Sequence, residues 1–133
     1  MATRSTIALE YADGTVEQVY CHWDGYLDHN GNILRNSYTD PFKLQELINL
    51  GDISSLDDSI ESTTFYMRDR GESGCEARKF KDFQEYTREA QFEEYDYILR
   101  NVNGKAQWFV QFYGTDGEYL TIEEAIEFQK EEA

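Results

Sequence analysis

Residues 5–23 read STIALEYADGTVEQVYCHW, and the fold hangs on how this stretch is paired. Two alternating runs rich in β-branched and aromatic residues, 5–11 and 15–23, flank Asp13-Gly14. That dipeptide suits a two-residue type I′ turn, whose two central positions both need φ > 0. Such a turn sets Tyr11 opposite Val16 and Ile7 opposite Tyr20, with Ala8, Val19, Cys21 and Trp23 on the other face. Apolar groups on both faces predict a hairpin inside the sheet rather than at a wet edge.

Working outward, Tyr95–Arg100 and Ala106–Tyr113 form a second predicted hairpin around Asn103-Gly104, again with I′ chemistry. Trp108, Val110 and Phe112 share one face of it, and Tyr95, Tyr97 and Leu99 line one side of the partner strand. Residues 63–68 read as a single strand, and 24–31 and 69–81 as loops, with a short helical turn around Ile33-Leu34. Asp40-Pro41 opens a helix as N-cap and first residue; Leu44, Leu47 and Ile48 form its apolar face, and Gly51 stops it. Asp82–Ala90 is a second helix. Thr121-Ile122-Glu123-Glu124 is a capping box opening a third, with an Ile122, Ala125, Ile126 stripe. The order β-β-α-β-α-β-β-α predicts an α+β fold: an antiparallel sheet of about five strands, two hairpins plus one strand, with two to three helices packed on one face.

The 133 residues suit one domain spanning 1–133. An aromatic content of 15% within 40% hydrophobic residues excludes a disordered acidic tail. With 27 acidic and 12 basic side chains the net charge is −15, which argues against direct nucleic-acid binding and against anionic membranes. No apolar run is long enough to cross a bilayer. Cys21 and Cys75 are far apart and follow no metal-ligand spacing, so both are expected as reduced thiols in an intracellular protein.

The densest chemical segment is Cys21-His22-Trp23-Asp24-Gly25-Tyr26. Neighbours on a strand point to opposite faces, which separates Cys21 from His22 and removes a nucleophile–base pair. A hydrolase built on His22 and Asp24 lacks a third orienting group and an oxyanion donor, so no catalytic residues are assigned and no enzyme is expected. His22, Asp24, His29 and Cys75 match no zinc pattern, and Asp24, Asp28 and Asn30 lack the closing Glu of a calcium loop. Neither a metal nor a cofactor is therefore expected.

Two binding surfaces remain. Glu123, Glu124, Glu127 and Glu131, with Glu93, Glu94 and Asp96, make rows of carboxylates. On a helix, charges at i and i+4 recur about every 6 Å, close to the phosphate spacing of a DNA strand, so such rows suit a basic surface as a DNA mimic does. The alternative is a pocket of His22, Trp23, Asp24, Tyr26, Tyr66, Arg68 and Arg70 for a nucleotide or signalling anion, where arginine forks suit phosphate.

The YCHWDGY segment, residues 20–26, together with Arg4, Ile7-Ala8, Asp13-Gly14 and LINLGDISSL at 47–56, resembles a group of small, acidic, uncharacterised proteins carried by tailed bacteriophages and prophages. The likeness covers about the first half of the chain, extending toward Arg68-Asp69-Arg70-Gly71-Glu72. It implies a viral origin and a host-cytoplasm setting, and it transfers no residue roles. By analogy with small acidic phage proteins, it favours a non-enzymatic binder that blocks a host protein, such as a nuclease or defence complex, through a basic surface.

Overall fold

A computed structural model describes the backbone of residues 2–132 and the side chains of residues 2–131. The strands are β1 (Ser5–Glu10), β2 (Val16–Cys21), β3 (Ile53–Ser55), β4 (Thr64–Phe65), β5 (Arg78–Phe80), β6 (Tyr95–Val102), β7 (Lys105–Phe112) and β8 (Leu120–Thr121). The helices are α1 (Asn32–Ser37), entered by one π-helical turn at Leu27–Gly31, then α2 (Pro41–Asn49), α3 (Tyr66–Arg70), α4 (Phe83–Glu89) and α5 (Ile122–Glu132).

Three expectations are corrected. First, the sheet is not a five-stranded antiparallel one: eight strands form a mixed sheet in the order β4-β3-β2-β1-β6-β7-β8, with β5 also paired to β2. The β1–β6 and β2–β3 pairs are parallel. β3, β5 and β8 are two or three residues long, too short to show a period of two. Second, among the described residues five helices rather than two or three accompany the sheet, and they cover both faces. Leu44, Leu47 and Ile48 of α2 and Ile122 and Ala125 of α5 pack with Ile7, Leu9, Val19, Cys21, Tyr97, Leu99 and Val110. Tyr86 of α4 packs on the opposite face with Ala8, Val16 and Ile98, ringed by Phe80, Phe83, Phe92 and Phe109.

Third, the first hairpin is shifted by one residue. The Tyr11 amide donates to the Thr15 carbonyl at 2.8 Å and the Gly14 amide to the Tyr11 carbonyl at 2.9 Å. Only Gly14 of the turn takes a positive φ, of 92°. Ala12-Asp13-Gly14 is thus a three-residue loop ending in a left-handed glycine rather than a two-residue I′ turn. Asp13 stabilises it by accepting the Thr15 amide at 3.0 Å and hydroxyl at 2.7 Å. The pairing becomes Glu10↔Val16 and Ile7↔Val19. Because the side-chain period is two, that slip turns Ile7 and Leu9 to the same face as Val19 and Cys21, and Thr6 and Ala8 to the face of Gln18 and Tyr20.

Local chemistry holds at the second turn and at the starts of α2 and α5. Asn103 and Gly104 take φ of 54° and 84°, and the register sets Leu99↔Trp108 and Tyr97↔Val110 as expected. Asp40 accepts the Phe42 amide at 3.0 Å at the start of α2. Thr121 and Glu124 cap α5 reciprocally, at 2.9 and 3.1 Å. The strand expected over 63–68 ends after Phe65, because Asp69 accepts the Phe65 amide at 2.8 Å and the chain turns into α3.

Candidate functional site

The acidic surface is organised by α5. Its buried stripe faces the sheet and leaves Glu123, Glu124, Glu127 and Glu131 exposed. They rim a depression of about 460 Å³ together with Leu120 and Phe128. Phe128 also meets Phe112 edge-on, with ring centres 6.1 Å apart. On the Phe112 side a second depression, about 590 Å³, is lined by Glu93, Glu94, Tyr95, Phe112, Tyr113 and Gln129. Gln129 of α5 joins the two by donating to the Tyr95 hydroxyl at 2.8 Å. Tyr113 is 99% exposed beside it. Two cations blunt the rim among the described residues: Arg35 lies 3.4 Å from Glu123 and Lys130 lies 3.6 Å from Glu127.

Asp96 does not belong to this surface. It is 2% exposed and faces the α4 side of the sheet. Its Oδ1 accepts the Thr6 hydroxyl at 2.7 Å and the Glu93 amide at 2.9 Å. Burial pushes its carboxyl up to about 7, against the pull of those two donors. The β1 register made this visible only in part: Asp96 sits beside Thr6 because β6 runs parallel to β1.

The seven residues of the alternative pocket divide. Cys21 is fully buried, accepts from the Asn30 side chain at 3.4 Å, and has its thiol pushed up to about 11 by burial. It faces away from His22 as strand alternation requires, so the two do not form a nucleophile–base pair. His22 shares a 2.6 Å hydrogen bond between its Nδ1 and the Tyr20 hydroxyl, and Trp23 meets it edge-on at 4.7 Å. Across the sheet, the Arg70 guanidinium donates to the Ser54 hydroxyl at 3.2 Å and lies 5.2 Å from the centre of the Tyr66 ring. His22, Trp23, Tyr66 and Arg70 therefore share one end of the sheet.

Asp24, Tyr26 and Arg68 do not join them. Asp24 takes φ of 59° and its carbonyl accepts the Asn30 amide at 3.2 Å. Gly25 is pressed against Ser5, where a Cβ would meet the Ser5 side chain at 2.6 Å, and its carbonyl accepts the Tyr97 hydroxyl at 2.7 Å. Tyr26 turns toward His29 instead. The Arg68 guanidinium donates to the carbonyls of Ile60 at 3.0 Å and Thr63 at 2.7 Å and pairs with Asp69. These three residues build loops. Sequence reasoning missed Tyr20 and Ser54; strand alternation from His22 pointed to Tyr20, and nothing local pointed to Ser54.

Among the described residues no group of three or more His, Cys, Asp or Glu side chains is arranged to hold a metal ion. Among the described residues no helix is long and apolar enough to cross a membrane. Compared with family models, curated proteins and solved structures, the chain matches none.

Proposed function

We propose that this is a non-enzymatic, phage-encoded acidic protein that acts in the host cytoplasm by occupying a basic surface of a host protein. Candidate targets are nucleic-acid-binding or defence proteins. The observation that carries the reading is the pairing of carboxylates with an aromatic floor. Glu123, Glu124, Glu127 and Glu131 rim a depression containing Leu120 and Phe128, and Glu93 and Glu94 flank the adjoining one. Rim charges on a chain of net charge −15 attract a basic partner over distance and speed encounter. Phe128, Leu120 and Tyr113 supply apolar area that is desolvated on contact, which holds the complex once formed.

The test is capture from host lysate at low and at raised salt, comparing the native chain with the variant Glu123→Lys, Glu124→Lys, Glu127→Lys, Glu131→Lys. The expected result is a basic protein retained by the native chain at low salt, released as salt rises, and absent from the variant. The same proteins retained by both chains at every salt concentration would overturn the reading.

A further inference from the structure

The end of the sheet not covered by α4 carries a second, oppositely charged arrangement. Ser5 pairs with Cys21, so Arg4 falls opposite His22 one step further along. On the other side of β2, Cys21 pairs with Ile53 in parallel, and the amides of His22 and Trp23 donate to the carbonyls of Ile53 and Ser54, each at 3.0 Å. Ser54 is therefore the lateral neighbour of His22 on the same face, and its hydroxyl holds Arg70. Neighbouring strands lie about 4.8 Å apart, so Arg4 and Ser54 flank His22 across a span of about 10 Å, the width of one phosphate group with its hydrogen-bond partners.

Both arginines are exposed and, among the described residues, engage no carboxylate within ion-pair distance, whereas Arg68, Arg78 and Arg100 are each paired. Asp52, the acid just before β3, is held by Arg78 at 3.0 Å. The Arg4 and Glu93 charges act on the Tyr20 phenol in opposite senses. The Tyr20 hydroxyl engages Nδ1 of His22, and among the described residues its Nε2 makes no hydrogen bond and is left to meet a ligand. Trp23, 43% exposed, stands beside His22, and Tyr66 lies under Arg70. Register and contacts thus place three groups that can donate to an anion, and an exposed aromatic ring, at one end of the sheet.

We propose that this surface binds a mononucleotide, with its phosphate between Arg4, His22 and Arg70 and its base against Trp23. Arginine forks match phosphate oxygens, and a half-exposed indole offers a face for stacking. Glu93 already acts on this surface through Tyr20, and a polynucleotide would have to run past further carboxylates of a chain of net charge −15, so the monomer is the fitting ligand. The site lies away from α5 and does not depend on the acidic face being a docking surface.

The test uses Trp23 as reporter, since Trp108 is only 5% exposed. The full chain is titrated with AMP, adenosine and inorganic phosphate at low ionic strength, followed by tryptophan fluorescence and calorimetry. Saturable quenching by AMP is expected, with adenosine and phosphate each binding at least about 10-fold more weakly. Arg70→Ala and His22→Gln should each weaken AMP by about 10-fold or more, Arg88→Ala should leave it unchanged, and Trp23→Phe should remove the optical signal. Unaltered circular dichroism confirms that each variant folds. No saturable AMP binding, AMP affinity unchanged in both Arg70→Ala and His22→Gln, or phosphate binding as tightly as AMP would overturn the assignment.

Discussion

The Thr6 hydroxyl donates to Asp96 Oδ1 at 2.7 Å across the parallel β1–β6 pair, and both side chains are buried. The bond joins residues 90 positions apart and sets a carboxyl against the apolar layer under α4, near the buried Tyr86 and Tyr119 hydroxyls. Burial favours its neutral form, with the neighbouring Glu93 carboxylate acting in the same direction.

Stability should therefore depend on pH through Asp96. Its carboxyl titrates near 3.8 when unfolded and near 7 when folded, so the folded state binds more protons between those values. Unfolding free energy then falls as pH rises from about 4 to about 7, by up to ~4 kcal/mol for this group alone. Asp96→Asn should flatten that slope. Denaturant midpoints measured across this range check it, and a native chain with no decline in this window contradicts it.

Two glycines with similar backbone angles should respond differently to alanine. Gly51 has φ of 86°, and an added Cβ would meet the Cys75 carbonyl oxygen at 2.5 Å. Gly104 has φ of 84° and open space around it. Gly104→Ala should cost only the left-handed strain, about 1 kcal/mol, and Gly51→Ala at least twice that, because backbone must also move. Thermal melts of both variants make the comparison.

The thiols should separate by accessibility. Cys21 is buried with its thiol raised to about 11, whereas Cys75 is partly accessible. In native protein at mildly alkaline pH, a thiol reagent should modify Cys75 alone, and Cys21 should appear only on adding denaturant. Peptide mapping after labelling identifies the site.

Tyr97→Phe removes the hydroxyl that donates to the Gly25 carbonyl at 2.7 Å inside the core. The carbonyl is left without that partner, at a cost of about 1–3 kcal/mol. The denaturant midpoint should fall with no change in the slope of the transition.

Single elements, though not the sheet they build, were legible in the chain wherever the deciding interactions span four residues or fewer. Asp40-Pro41 and Gly51 bounded α2, Thr121 with Glu124 opened α5, and Asn103-Gly104 turned the second hairpin, each through bonds made within its own segment. The acidic row on α5 followed from helical spacing in the same way. Composition alone set the net charge of −15.

Tertiary structure decided what depends on a distant partner. The Asp13-Gly14 turn had two local solutions, and the one adopted places Ile7 and Leu9 on the α2 and α5 side, where their apolar area is buried. The parallel placement of β6 on β1 turned Asp96 from a surface acid into a buried one. Arg68 and Arg70 are two residues apart and look alike in sequence, yet one caps loop carbonyls and the other reaches Ser54. Which way each points is set by packing against residues far along the chain, an energy that no local pattern contains.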